Sequence, residues 1–157
     1  MSFFARKQKD VFERRKKQQE VWSAVRRIID TSAPNMAPYT GDSRAQDRCN
    51  RCLPAIVVPL DAEGTPTGGQ LFGISRDVCD NGIGLVVHES LDAELVLCGF
   101  WVGQPLLFLG NVRRITPYGG CFWLVGIELT DVLCASEAER LAPLVQQLAP
   151  TETAPCG

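Results

Sequence analysis

The sequence predicts a mainly β fold: a six-stranded antiparallel β-barrel with a carboxy-terminal α-helix and a separate amino-terminal basic α-helix. Three observations predict it. Residues 55 to 129 contain six short segments of β character separated by turns rich in Gly and Pro. Residues 3 to 30 contain neither Gly nor Pro and are rich in helix formers. Residues 136 to 148 carry apolar side chains at helical spacing.

The first segment, residues 1 to 30, is predicted to be a basic amphipathic helix. It carries nine Lys/Arg against four Asp/Glu, whereas the rest of the chain carries seven against fourteen. One seam of the helix, with alternating steps of three and four residues, carries the apolar Phe4, Val11, Trp22, Val25 and Ile29. Polar residues interrupt that seam, so packing against the domain or a partner is expected before a coiled-coil homo-oligomer. A basic helix on a membrane surface is the alternative.

The remaining segments follow in order along the chain. Residues 31 to 43 are predicted to be a flexible linker because two prolines and a glycine interrupt them and little is apolar. The barrel domain with its helix covers residues 44 to 149, and residues 150 to 157 are predicted to be a disordered tail. The predicted strands are 55 to 60, 70 to 78, 83 to 87, 93 to 100, 105 to 115 and 121 to 129. The last helix is predicted from a capping box and its apolar face: Ser136, Glu139, Leu141, Leu144, Val145 and Leu148.

The composition indicates a soluble cytoplasmic protein without catalytic activity. The seven cysteines are odd in number and scattered, and no secretory leader precedes them, so a disulfide scaffold is not expected. The longest apolar stretch is interrupted by Gln104 and Pro105, so no membrane-spanning helix is expected. His88 is the one histidine and has no catalytic constellation around it in the sequence. No catalytic residue, metal or cofactor is therefore predicted.

Three arginines lie within eight residues just before the first predicted strand: Arg44, Arg48 and Arg51. A guanidinium can bond O6 and N7 of guanine, bond phosphate through two donors, or stack on a purine. The spacing alone favours the alternative, a solvated basic tether that precedes a strand. Later in the chain, Arg113 and Arg114 belong either to a barrel face or to a secondary phosphate contact.

The stretch RDVCDNGIGL, residues 76 to 85, carries more polar groups than a turn requires. A turn needs only the Asn-Gly pair, because glycine takes a positive φ without steric cost. Asp77 and Cys79 are therefore surplus. An ionised Asp77 accepts hydrogen bonds only, and it could accept from N1 and N2 of guanine, opposite the edge that arginine recognises. Gly82 and Gly84 would let the backbone approach a ligand closely.

Arg44 and Arg48, separated by Ala-Gln-Asp, together with Asp77-Val-Cys79-Asp-Asn-Gly82, closely resemble the two-part signature of the PilZ domain, R-x-x-x-R and D/N-x-S-x-x-G. The resemblance covers roughly residues 43 to 148. It implies a six-stranded barrel that binds the bacterial second messenger cyclic di-GMP. Arg44 and Arg48 would lie on a segment that folds over the ligand, above Asp77, Cys79 and Gly82. It further implies that ligand binding regulates a downstream protein partner.

Cys79 departs from the signature, which usually has serine there. A thiol is the weaker hydrogen-bonding group, so one bond of about 0.5 to 1.5 kcal/mol could be lost, up to about tenfold in affinity. The alternative function is therefore a PilZ-like protein-interaction module that has lost nucleotide binding. Binding of DNA or RNA is not expected, because the domain is acidic and its aromatic residues suit a core. A zinc site at Cys49 and Cys52 lacks a second pair of ligands, and thiol redox chemistry is a weaker third hypothesis.

Overall fold

The structure is a computed structural model that describes residues 3–31, 33–34, 49–134, 136–137, 139 and 141–149. Side chains are described for residues 13 to 29 and from residue 51 onward. Arg44 and Arg48, most of the predicted linker and the predicted tail lie outside the described residues.

The described chain forms two helices and eight strands, in the order α1 Phe3–Thr31, β1 Ala33–Pro34, β2 Cys49–Cys52, β3 Pro54–Leu60, β4 Leu71–Cys79, β5 Gly82–Val87, β6 Leu95–Trp101, β7 Pro105–Gly119, β8 Phe122–Leu133 and α2 Ala142–Gln146. Six of the strands pair in the order β4, β3, β6, β7, β8 and β5, and pairing of β5 with β4 closes the ring. All these pairs are antiparallel. The predicted six-stranded antiparallel barrel is confirmed.

The strand boundaries differ from the prediction mainly at the β7–β8 hairpin. β7 continues to Gly119 and β8 to Leu133, each four residues beyond the predicted end. The last residues of β7 are exposed, so they carry no apolar pattern that a sequence could reveal. The two short strands β1 and β2 were also not predicted. β2 pairs with β4 beside β3, and β1 pairs with β2.

Helix α1 packs against the barrel, chiefly along β8. Val21, Ala24, Val25 and Ile28 are at most 1% exposed and belong to the same apolar cluster as the barrel interior. Trp22, which the spacing placed on the apolar seam, is instead 44% exposed. The helix is thus turned so that the stripe next to Trp22 faces the core. This burial accounts for the stability of a helix whose polar residues outnumber its apolar ones.

Helix α2 packs on the other side of the sheet, where Leu141 and Val145 are buried against β3 and β7. The helix begins at Ala142, and its cap residue, Leu141, makes no side-chain capping bond. The predicted capping box of Ser136 and Glu139 is therefore wrong. Pro143 lies in the first turn, where its fixed φ favours a helix start.

The described helices include none that is both long enough and apolar enough to cross a membrane.

Candidate ligand-binding site

The β4–β5 hairpin turns at Asp80 and Asn81, and Cys79 pairs with Gly82 across the turn. Gly82 is therefore the first residue of β5 and not part of the turn. Its φ is not positive, because positive values within the described chain occur only at Gly64, Gly103, Gly119 and Gly120. The explanation of Gly82 by turn conformation was wrong, and the reason for a glycine there lies in its neighbours.

Gly82 and Gly84 make room for two side chains of β4. A Cβ on Gly84 would lie 2.9 Å from Oδ1 and 3.1 Å from Oδ2 of Asp77. A Cβ on Gly82 would lie 3.1 Å from Sγ of Cys79. Both separations are too short for an ordinary contact, so any larger residue in β5 would displace the β4 side chain. The Asp77 carboxylate and the Cys79 thiol thus lie across the bare backbone of β5.

The pairing register extends this arrangement into a row across four strands. Asp77 pairs with Gly84, Gly84 with Gly126 of β8, and Gly126 with Arg114 of β7. Neighbouring strands are about 4.8 Å apart, so the two ends of the row are separated by roughly 14 Å. The row therefore places an acidic side chain at one end and a basic side chain at the other, with two glycines as the floor between them.

An open pocket of about 850 Å³ lies over this row. Its polar lining comprises Arg76, Asp77, Cys79, Asn81, Arg113, Arg114 and Glu128, with Gly82, Gly84 and Gly126 at the backbone. Three of the five residues predicted to bind ligand, Asp77, Cys79 and Gly82, are brought together here. The other two, Arg44 and Arg48, lie outside the described residues.

Two β-bulges explain why consecutive residues face the pocket. The register shifts between Ser75 and Asp77 in β4, and between Val112 and Arg114 in β7. A bulge places two residues of one strand opposite a single partner and redirects a side chain. Arg76 therefore lines the pocket together with Asp77, and Arg113 together with Arg114. Strict alternation along a strand would have assigned one of each pair to the opposite face, which is why the sequence did not predict Arg76.

The charged side chains of the pocket differ in whether they contact another charged side chain. Asp77 is only 3% exposed, and Arg76 Nε lies 3.9 Å from its Oδ2. Arg113 donates to Oε2 of Glu128 from Nε at 2.7 Å and also from Nη2. Arg114 is exposed and forms no hydrogen bond or ion pair with another side chain of the described ranges. Arg114 is therefore the guanidinium of the pocket that is most available to an anion.

Ser75 attaches β2 to the strand that carries Asp77. Its buried hydroxyl donates to the carbonyl of Arg51 at 2.7 Å and accepts from the amide of Leu53 at 2.8 Å. In the same ladder, Asn50 pairs with Asp77 and Cys49 with Val78. The residues that directly follow Arg48 therefore belong to β2, which pairs with β4, the strand that carries Asp77.

Five cysteines whose side chains the structure describes are free thiols: Cys52, Cys79, Cys98, Cys121 and Cys134. Burial raises the pKa of Cys98 to about 12, so that thiol is protonated at neutral pH. Cys52 is exposed, and the described side chains bring no three His, Cys, Asp or Glu together in a group that could hold a metal ion.

No protein-family model matches the chain, and no curated protein matches its sequence. Among solved structures, the Bacillus subtilis inhibitor of motility MotI/DgrA matches 72% of this chain, with 15% sequence identity and a TM-score of 0.45. The match spans 56% of the length of that solved chain.

Proposed function

We propose that the chain is a PilZ-like receptor for cyclic di-GMP that passes ligand binding on to a protein partner and performs no catalysis. The observation that supports it is the row from Asp77 over two glycines to Arg114, at the floor of the 850 Å³ pocket. The pocket has an acceptor-only group at one end and an available cation at the other. A guanine nucleotide has the matching groups, with base N–H donors at one end and a phosphate at the other.

Asp77 is the group proposed to select guanine. Its carboxylate can accept from both N1–H and the N2 amino group, whereas adenine offers no donor at either position. The carboxylate can lie over Gly84 only because glycine has no side chain there. Gly126 continues the bare floor toward Arg114, which allows a flat ligand to approach the backbone closely.

Arg44 and Arg48 are proposed to complete the site from the segment that precedes β2. The chain connection supports this placement. β2 begins at Cys49, directly after Arg48, and Cys49 pairs with Val78, the residue next to Asp77. Arginines on this segment would recognise the guanine edge opposite to Asp77 and the phosphates. Ligand contact with this segment would then act on residues that are joined through β1 and Thr31 to the end of α1, which gives a route to a partner.

Cys79 is proposed to lower the affinity without removing it. Its Sγ lies over Gly82 at the edge of the pocket, as the serine of the signature would. A thiol still offers a weak donor and acceptor. We expect the affinity for the ligand to fall by at most tenfold, because one hydrogen bond contributes no more than about 1.4 kcal/mol.

An exposed apolar cluster favours a second candidate function, that of an interaction module without nucleotide binding. The cluster comprises Phe72, Ile74, Tyr118 and Phe122, each between 47% and 53% exposed. The four side chains surround a groove of about 390 Å³ on the outside of the β4–β5 sheet. Clusters of this kind mark protein contact sites.

Calorimetric titration with cyclic di-GMP under reducing conditions separates the two functions. The receptor proposal expects a saturable heat, its loss in Arg44→Ala and Arg48→Ala, and its retention in the exposed control Arg27→Gln. Cyclic di-AMP should bind at least about a hundredfold more weakly, because adenine offers the Asp77 carboxylate no hydrogen-bond donor at the two positions where guanine does. A folded wild-type protein that gives no heat with cyclic di-GMP would leave the interaction module as the better assignment.

A further inference from the structure

A second cavity lies next to the proposed ligand site, between helix α1 and the β4–β5 turn. It has a volume of about 360 Å³. Four of its lining residues come from the helix and two from the turn: Arg15, Gln18, Gln19, Trp22, Asp80 and Asn81. Asn81 also lines the 850 Å³ pocket. The two cavities are therefore neighbours that share Asn81 as a lining residue.

Trp22 is the unusual residue of this groove. The residues beside it on α1, Val21 and Ala24, are 1% exposed, yet the indole itself is 44% exposed. The guanidinium carbon of Arg26 lies 5.0 Å from the centroid of its ring. An exposed indole held by a cation is a surface on which a nucleobase stacks, because every base offers a π face.

Three polar residues of the groove from α1 could bind the phosphate and the polar groups of a nucleotide whose base stacks on Trp22. Arg15 is exposed and makes no ion pair or side-chain hydrogen bond within the part of the chain that is described. Gln18 and Gln19 each provide an amide with donors and an acceptor. The helix segment from 13 to 29 has six Lys/Arg and two Glu, so its field favours an anion.

We infer that α1 forms part of the ligand site: a second purine of the bound messenger stacks on Trp22, and Arg15 contacts a phosphate. The inference rests on the proposed function, since it assumes that the first guanine lies in the pocket of Asp77. A cyclic dinucleotide carries two purines and two phosphates, so the inference places one purine in each of the two neighbouring cavities. The amino-terminal helix then contributes directly to affinity, and a ligand bound across both cavities holds it against the β4–β5 turn.

Tryptophan fluorescence and calorimetry during titration with cyclic di-GMP test this inference. Stacking should quench the wild-type fluorescence, and Trp22→Phe should lose most of that quench while binding within about threefold of the wild type, since phenylalanine still stacks. Trp22→Ala should bind about tenfold more weakly. Arg15→Gln should weaken binding and reduce its salt dependence. Arg27→Gln, on the same helix but outside the groove, is the control.

The outcomes separate this inference from the proposed function. If the wild type binds and Trp22→Ala and Arg15→Gln bind equally well, α1 is not part of the site, although the receptor assignment stands. If the wild type shows neither heat nor quenching, both are wrong. Because Trp22 and Arg15 are exposed, their variants should unfold at the same temperature as the wild type, and a thermal melt checks this.

Discussion

The carboxylate of Asp77 lies across Gly84, with Oδ1 only 2.9 Å from the point that a Cβ on Gly84 would occupy. A methyl group there must displace the carboxylate, so Gly84→Ala should weaken cyclic di-GMP binding by about tenfold or more. Calorimetric titration measures the change. The matched control is Gly69→Ala, since a Cβ on Gly69 meets no atom within 4 Å. Wild-type affinity in Gly84→Ala would show that the carboxylate does not contact the ligand.

Arg113 and Arg114 are adjacent in sequence but differ in their partners, which makes them a matched pair. Arg113 is already bonded to Glu128, whereas Arg114 has no such partner among the described side chains. Arg114→Gln should therefore weaken ligand binding more than Arg113→Gln does, and should flatten the dependence of affinity on salt concentration. Titrations at two salt concentrations measure both effects. A larger loss in Arg113→Gln would contradict the proposed anion contact.

Ser75→Ala should destabilise the barrel by about 1 to 3 kcal/mol, because it removes the buried hydroxyl that accepts from the Leu53 amide and donates to the Arg51 carbonyl. Urea denaturation measures the loss, and Ser90→Ala, at an exposed position, is the control. Hydrogen exchange locates the loss of stability. The Leu53 amide should exchange faster in the variant than in the wild type, whereas the exchange rates of the β6 amides should stay the same. Unchanged protection at Leu53 would mean that Ser75 does not hold β2.

Cys98 should make stability depend on alkaline pH. Burial raises its pKa from 9.0 to about 12, so the folded state retains a proton that the unfolded state releases. Its contribution is fully present below pH 9 and declines as the pH rises toward 12, by about 1.4 kcal/mol for each pH unit. Urea denaturation at pH 7, 9 and 10.5 should show a smaller decline in Cys98→Ala than in the wild type or in the exposed control Cys52→Ala. Parallel declines in all three proteins would contradict this role.

The number of barrel strands and their approximate positions along the chain could be predicted because each strand has a buried apolar run that ends in a turn. The end of β7 could not, since its last residues are exposed and lack an apolar pattern. The end of β8 could not either, since Thr130 and Asp131 interrupt the apolar run before the partly buried Val132 and Leu133. The stripe of α1 that faces the barrel was predicted only in part, since Val25 and Ile29 pack against the core whereas Trp22 is exposed. Trp22 and Val21 lie on adjacent stripes, and only the shape of the barrel decides which of the two is buried.

Part of the candidate site could likewise be predicted from the sequence. The placement of Asp77, Cys79 and Gly82 around one pocket agrees with their crowding in a single short stretch. Gly126 and Arg76 could not be predicted, because their positions depend on strand register and on a bulge in β4. Such cross-strand relationships are long-range in sequence, and no local spacing encodes them.

The location of the ligand is the central claim, and glycine amide resonances test it most directly. In a ¹⁵N-labelled sample titrated with cyclic di-GMP, we expect saturable shifts at the amides of Gly82, Gly84 and Gly126. The amides of Gly64 and Gly69, in the β3–β4 connection, should not move. A titration that leaves the first three unchanged, or that moves only residues outside the pocket, would contradict the account.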